Sequence, residues 1–188
     1  KSKPFKYSRY QQCSGFFQSS SSTLNKTYDH VAEDGTTTVV TNLTCNASKT
    51  KKQNLLLIRL NGTDYKELKR TKINLAIPEI NTISIASSTD KVYMSIQTQD
   101  RQKLEGKLLK RKILENHLFV VNEDGEVTEI ELSLPNKEYR MGHFKLFMNE
   151  DDVVLNGQVL KNETNDFVGI FSAKINPVYY NIQHVDVK

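Results

Sequence analysis

Short runs of β-branched and aromatic residues recur along the chain, each bounded by polar turn residues. Thr36–Leu43 and Lys91–Thr98 alternate or cluster these residues as half-buried strands do. A longer pattern contains such runs and occurs three times, at roughly fifty- to sixty-residue spacing. In each copy a strand-like run follows an acidic or glycine turn, and a hairpin closes the unit. Self-similarity at a fixed period is typical of a repeat architecture.

The hairpins that close the copies are marked by their turn residues, Asn61-Gly62, Glu123-Asp124-Gly125 and Asn176-Pro177. Asn-Gly and Asp-Gly favour a type I′ turn, because both residues accept a positive φ. Pro177 fixes φ near about −65°, so the third turn must be of a different type. With a further candidate strand ahead of the acidic turns, these signals predict about four short antiparallel strands per copy, arranged as a meander.

One stretch departs from the strand pattern. Asp100–Glu115 contains helix-forming residues, with apolar positions at 104, 108 and 109. It predicts either one or two turns of helix or a long extension of the hairpin in the second copy.

Four-stranded meanders in tandem resemble the blades of a β-propeller, in which each sheet packs face to face against its neighbours around an axis. The resemblance covers about residues 30–188 and rests on the order strand, turn, strand, variable loop, hairpin. The chain has no Trp-Asp repeat ending, no kelch double glycine and no sialidase Asp-box, and it contains no Trp. The resemblance implies an all-β, propeller-like fold without assigning a family.

A propeller ring closes with about four to eight blades, so three repeats are too few. Three explanations stay open: residues 1–30 supply a fourth blade, the chain is part of a longer protein, or two copies complete one ring. The alternative fold is a single β-barrel or β-sandwich whose strands only resemble repeats.

The chain divides into an irregular N-terminal segment, residues 1–30, and an all-β repeat domain, residues 31–188. The segment is polar and Ser-rich, as flexible loops are, and could belong to a divergent repeat. The repeats span about 31–76, 80–134 and 141–188.

The two cysteines, Cys13 and Cys45, are either a disulfide pair or two free thiols. A disulfide would close a loop of about thirty residues and add about 3–4 kcal/mol of stability, tying the N-terminal segment to the first repeat.

Composition and charge exclude some classes of partner. The 188 residues suffice for one domain with a sizeable core, and 37% of them are hydrophobic. The 26 basic and 22 acidic residues give a net charge of +4, which is too mild and too mixed to indicate a nucleic-acid partner. No stretch approaches the roughly 20 apolar residues that cross a bilayer, so we expect no membrane span.

Five sites match the N-x-Ser/Thr pattern for N-glycosylation, which marks surface loops of secreted eukaryotic proteins. A chain rich in Asn, Ser and Thr produces some of them by chance, but their number favours a secreted glycoprotein in an extracellular or extracytoplasmic setting. A start at Lys1, with no Met and no apolar signal region, fits a processed or truncated chain. The five sites are Asn25, Asn42, Asn46, Asn61 and Asn162.

Residues that could carry catalysis do not converge in the sequence. The four histidines are scattered, and no pair has the spacing of metal ligands. The acidic cluster Asn149–Asp152 corresponds in position to Ser88–Asp90 and Glu33–Gly35, which favours a turn between strands over a Ca²⁺ loop. A nucleophile elbow and a glycine-rich phosphate loop are both missing. We therefore predict no catalytic residue, no metal ligand and no cofactor, and favour a non-enzyme.

A basic run in the second copy is the best candidate for an interaction site. Its cations could meet an acidic partner, a sulfated glycan or anionic lipid headgroups. They could also belong to a solvated loop in which Glu105 and Glu115 partly balance them. The cations are Lys103, Lys107, Lys110, Arg111 and Lys112.

These observations predict a binding or scaffold module, because repeat surfaces present many loops on a rigid frame. The expected partner is a protein or a glycan, and the chain could also form a homodimer or associate with further repeats. Two alternatives stay open. One is a β-barrel that carries a small apolar ligand, and the other is part of a propeller hydrolase or lyase whose active site is completed by missing blades.

Overall fold

The computed structural model describes residues 27–44, 52–103, 110–134, 136–149, 152–162, 164, 166–176, 178 and 182–187. In this part of the chain twelve strands form three four-stranded sheets. Sheet 1 contains β1 (Thr27–Val31), β2 (Thr37–Asn42), β3 (Gln53–Leu60) and β4 (Glu67–Leu75). Sheet 2 contains β5 (Glu79–Ser87), β6 (Val92–Lys103), β7 (Lys110–Val121) and β8 (Val127–Ile130). Sheet 3 contains β9 (Tyr139–Asn149), β10 (Asp152–Lys161), β11 (Phe167–Ile175) and β12 (Ile182–Val187).

Each sheet is an antiparallel meander, because every strand pairs with the next strand along the sequence. The three meanders follow one another in the chain, so the predicted all-β fold of tandem four-stranded units is confirmed. None of the described strands pairs with a strand of another sheet, so these strands do not close into a barrel.

Two apolar cores lie between the sheets, and sheet 2 is the central layer. Successive residues of a strand point to opposite faces, so one strand can contribute to both cores. In β6, Met94 lies in the core shared with sheet 1, whereas Tyr93 lies in the core shared with sheet 3. The first core includes Val40, Leu57, Ile73, Ile85, Met94 and Phe119. The second core includes Tyr93, Leu118, Phe144, Leu155 and Phe171.

The first strands of the three sheets lie side by side, since β1 contacts β5 and β5 contacts β9. The remaining strands of each sheet follow in order, so each lies farther from β1, β5 or β9 than the strand before it. Consecutive meanders thus stack face to face and each begins beside the start of the next, an arrangement that is consistent with a propeller-like or a sandwich fold.

A series of amide side chains joins sheet 2 to the first strand of sheet 3. Asn81 Nδ2 donates to Gln97 Oε1 (2.8 Å), and Gln97 Nε2 donates to Asn116 Oδ1 (3.3 Å). Asn116 Nδ2 in turn donates to the backbone carbonyls of Met141 (2.9 Å) and Gly142 (2.8 Å). Both of these residues are buried, so Asn116 provides a partner for acceptors that water reaches poorly.

The connection between β3 and β4 differs from the predicted two-residue turn. Asn61 N donates to Lys66 O (2.8 Å) and Tyr65 N donates to Asn61 O (2.9 Å), so the loop is longer. Tyr65 has a positive φ of 54°, and Gly62 does not. A Cβ on Gly62 would lie 1.9 Å from Gly35 O in the turn between β1 and β2. The predicted type I′ turn is wrong because this glycine allows a close tertiary approach.

The longest pair of strands in the described chain is β6 and β7, with 12 residues each. Residues 100–103 and 110–115 belong to these strands, so helical turns are excluded for them and the predicted hairpin extension is confirmed. The connecting residues 104–109 lie outside the described residues.

Some sequence predictions fall on residues that the structure does not describe. These are the segment 1–26, Cys13, Cys45, Asn25, Asn46 and Pro177. The pairing of the cysteines therefore stays a prediction. In the described ranges, no helix is long and apolar enough to span a membrane.

Candidate functional site

Two open clefts lie where the first strands of the three sheets adjoin. The first, about 400 Å³ in volume, lies at the carboxyl ends of these strands. The second, about 490 Å³, lies nearer their beginnings. Each cleft is therefore built from all three sheets. Residues 30–34, 87–89 and 146–148 line the first cleft. Residues 27–29, 82–85, 143 and 145 line the second cleft.

One wall of the first cleft is the tight turn that follows β1. Gly35 N donates to Ala32 O (2.9 Å), and Gly35 has a φ of 80°, a conformation that glycine adopts without strain. Asp34 Oδ1 accepts a hydrogen bond from Thr36 N (2.8 Å), and its Oδ2 accepts one from the Thr89 hydroxyl (3.0 Å). The hydrogen bond from the Thr36 N–H is the main reason why the pKa of the Asp34 carboxyl lies below its usual value.

A second wall is the turn between β5 and β6, which Arg59 holds against sheet 1. The guanidinium of Arg59 donates to the carbonyl of Ser88 (2.8 Å) and to that of Thr89. Together with the hydrogen bond from Thr89 to Asp34, this fixes the turns of two sheets beside each other.

His30 and Ser87 form a polar pair across the floor of the first cleft. His30 Nδ1 lies 3.0 Å from Ser87 Oγ, within hydrogen-bond distance. Burial lowers the pKa of the His30 imidazole, and the charge of Asp29 opposes this effect in part. The imidazole is therefore neutral at neutral pH, so it carries one donor and one acceptor nitrogen.

The third wall comes from sheet 3 and is mostly apolar. It consists of Leu146, Phe147 and Met148 at the end of β9. Leu146 N donates to Ser84 Oγ (3.2 Å), which ties this strand to β5. Phe147 is 47% exposed, so part of it is accessible to solvent.

The second cleft carries a different set of charges. Asp29 supplies a carboxylate from β1, and His143 and Lys145 stand on β9 as exposed residues. Tyr28 also lines this cleft and packs against the core shared by sheets 1 and 2, and burial raises the pKa of its phenol. These charged and polar residues lie beside the apolar Ile83 and Ile85, which also line this cleft.

The described residues that line the clefts supply hydrogen-bonding and charged groups from all three sheets. In the described chain no cluster of three His, Cys, Asp or Glu residues could hold a metal ion. The carboxylates lining the first cleft, Glu33 and Asp34, are neighbours in one turn, and both oxygens of Asp34 accept hydrogen bonds.

The described residues of the predicted basic run line neither of the two clefts. Lys103 ends β6, and Lys110, Arg111 and Lys112 begin β7. Lys107 lies outside the described residues.

Three predicted glycosylation sites fall in the described chain, and they differ in their contacts. Asn42 Nδ2 donates to the buried Gln53 Oε1 (3.5 Å), and Asn162 Nδ2 donates to Lys137 O (2.6 Å). Asn61 uses its Oδ1 to accept from Thr63 N (2.8 Å), in an exposed loop. Glycosylation of these sites stays a prediction.

Sequence reasoning missed the cleft residues, although one signal pointed towards them. The acidic turns at Glu33–Gly35 and Ser88–Asp90 were recognised as equivalent positions of two repeats. Equivalent turns of stacked meanders come together at one end, and here they form two walls of the first cleft. His30 and Phe147 carried no comparable signal.

No family model matches the sequence, and no curated protein matches it. Among solved structures, the chain is similar to the crystal structure of the GH43_1 enzyme from Xanthomonas citri complexed with xylotriose. The sequence identity is 11% and the TM-score 0.49, over 87% of this chain and 54% of that chain. The chain thus spans about half the length of that protein, and a likeness at this level assigns no activity.

Proposed function

We propose that the chain is an extracellular binding module whose propeller-like stack of sheets presents the first cleft to a glycan. The observation that carries the proposal is the convergence of three walls on this cleft. They supply the His30–Ser87 pair, the Glu33 carboxylate, the Thr89 hydroxyl and the Phe147 ring. The five N-glycosylation motifs support the extracellular setting.

The lining of the first cleft matches the chemistry of a sugar. Sugar hydroxyls donate and accept hydrogen bonds, and a neutral imidazole beside a serine hydroxyl can do both in return. Glu33 forms no hydrogen bond within the described residues and is free to accept from such hydroxyls. The C–H face of a sugar ring packs well on an exposed aromatic ring, which Phe147 provides. A volume of about 400 Å³ lies within the usual range of small-ligand sites.

A matched pair of phenylalanines tests this proposal. Wild type, Phe147→Ala and Phe167→Ala would be screened on an array of neutral and acidic oligosaccharides, and the strongest ligand would be titrated by calorimetry. Phe167 is also exposed and also belongs to sheet 3, but it does not line the cleft. We expect Phe147→Ala to weaken binding about three- to tenfold, the worth of one aromatic contact, and Phe167→Ala to bind as wild type. Equal affinities for both variants, or no ligand on the array, would contradict the proposal.

A second candidate function is a scaffold role, which the outer face of sheet 3 favours. We define this face by four apolar residues on the side of sheet 3 opposite its core: Phe147, which also borders the first cleft at the end of β9, Val154, Phe167 and Ile170. Phe167 is 62% and Ile170 54% exposed. Such a face could accept a further sheet, from a second copy or from other repeats. Light scattering would then give a mass near twice 21.5 kDa for a homodimer, and Ile170→Lys would restore the monomer.

A further inference from the structure

The hairpin of β6 and β7 continues beyond sheet 2 as a two-stranded ribbon. The last pair between β5 and β6 is Glu79 with Gln99, and β8 pairs with β7 only from Leu118 onwards. Residues 100–103 and 110–113 therefore pair only with each other within the described chain. Four residue pairs extend the ribbon by about 13 Å, at about 3.3 Å per residue.

The register of this ribbon sorts its charges by face. Residues directly opposite each other share a face of a sheet, and so do residues two positions apart on one strand. Lys103 pairs with Lys110, and Arg101 pairs with Lys112, two positions further from the end. These four cations therefore occupy one face. The opposite face carries the positions of Asp100, Gln102, Arg111 and Ile113.

The strand positions of four basic residues thus form a grid on one face, about 5 Å across the strands and about 7 Å along them. Sequence reasoning grouped Arg111 with the lysines and omitted Arg101, because only the register separates the two faces. We call the grid of Arg101, Lys103, Lys110 and Lys112 the cationic face.

The cationic face is unfavourable for the stability of the ribbon. Like charges directly opposite each other on paired strands destabilise the pairing, and an isolated two-stranded ribbon is marginal in water. Both opposed pairs on this face are cation with cation. A bound polyanion would neutralise this repulsion and release counterions. The arrangement therefore favours binding, although it lowers the stability of the unbound ribbon.

We propose that the cationic face binds a sulfated glycan. Residues 100–113 contain no aromatic residue, whereas proteins that bind single-stranded nucleic acids stack bases on aromatic rings. The choice of a sulfated polysaccharide over an intracellular polyanion rests on the extracellular setting of the proposed function. It does not depend on sugar binding in the first cleft, which lies on other strands.

Adjacent residues on opposite faces provide the test. Wild type, Lys112→Gln and Arg111→Gln are each loaded on a heparin column and eluted with a NaCl gradient. Each of the two variants removes one positive charge. We expect Lys112→Gln to elute at lower salt and Arg111→Gln to elute close to wild type. In binding titrations, the slope of log K against log salt should fall by about one for each cation removed from the face. The combined variant of all four cations should lose retention altogether.

Three results would overturn the inference. Equal shifts for Lys112→Gln and Arg111→Gln would show that only total charge matters. Elution of wild type below physiological salt would show that the face does not bind heparin. Tighter binding to duplex DNA or to anionic phospholipid vesicles than to heparin would assign a different partner. Circular dichroism confirms that each variant is folded, and Phe147→Ala should keep wild-type heparin retention, which separates this inference from the proposed function.

Discussion

The two faces of sheet 3 are built from the same strands and have different environments. On the inner face, Phe144 is 2% exposed and packs edge to face on Phe171, with ring centroids 6.1 Å apart. On the outer face, Phe147 is 47% exposed, although it lies only three residues after Phe144 in β9. Sheet 2 has no such contrast, because sheets cover it on both sides. The difference shows that burial is concentrated between the sheets, whereas the outer face of sheet 3 keeps part of its apolar side chains exposed.

The largest expected effect is a difference in the free energy of unfolding between a variant of the inner face and one of the outer face. Phe144→Ala should lower the free energy of unfolding by about 3–5 kcal/mol, because it removes a ring from a packed core. Phe147→Ala should change it by less than about 0.5 kcal/mol. Urea denaturation followed by far-UV circular dichroism measures both. A comparable loss for Phe147→Ala would mean that the outer face is covered in the native protein, and a dependence on protein concentration would identify a second copy as the cover.

The next effect tests how tightly the inner face is packed. Gly157 in β10 lies opposite both Phe144 and Phe171, and a Cβ there would be 2.4 Å from Phe144 Cβ. Gly157→Ala should therefore cost about 1–3 kcal/mol through overpacking, which exceeds the gain of about 0.4–1 kcal/mol from a stiffer unfolded chain. The neighbouring Asn156→Ala, on the outer face, is the control. A stabilised Gly157→Ala variant would show that the two rings can move apart.

A smaller effect concerns the hydrogen bonds that attach sheet 3 to sheet 2. Asn116→Ala removes the donor to the carbonyls of Met141 and Gly142 and should cost about 1–2 kcal/mol in thermal or urea unfolding. Ser172→Ala, on the outer face of sheet 3, should be neutral within about 0.5 kcal/mol. A neutral Asn116→Ala would indicate that water replaces the amide, and hence that this end of the inner face is wet.

The strands of both faces could be predicted from the sequence, because their evidence is local. Alternating apolar residues in β6 and the turn residues after β3 and β7 report on neighbours along the chain. The turn type at Gly62 could not be predicted in this way. Its glycine serves a contact with Gly35, 27 positions away in sequence, and no local pattern reports such an approach.

The candidate site was harder to predict than the strands, for a related reason. His30, Ser87 and Phe147 come from three sheets, and each is unremarkable within its own strand. Only the stacking of the sheets brings them together. The basic run was visible as a run, but its division into two faces depends on which residue of β6 pairs with which residue of β7. Register is a tertiary property that composition does not encode.

The smallest expected effect is the pH dependence at the cleft beside the exposed Phe147. Burial lowers the pKa of His30 in the folded protein, so the unfolded chain binds a proton at higher pH than the folded chain does. The contribution of His30 to stability is therefore fully present above about pH 6.5 and is lost as the pH falls towards its folded pKa. His30→Gln should remove this loss. The effect is measured by comparing the urea midpoints of wild type and His30→Gln at pH 7.5 and at pH 5. Carboxylates such as Asp34, whose pKa is lowered, begin to change the pH dependence of stability only at lower pH. The same difference between the two proteins at both pH values would mean that the floor of the cleft is open to water, as the outer face of sheet 3 is.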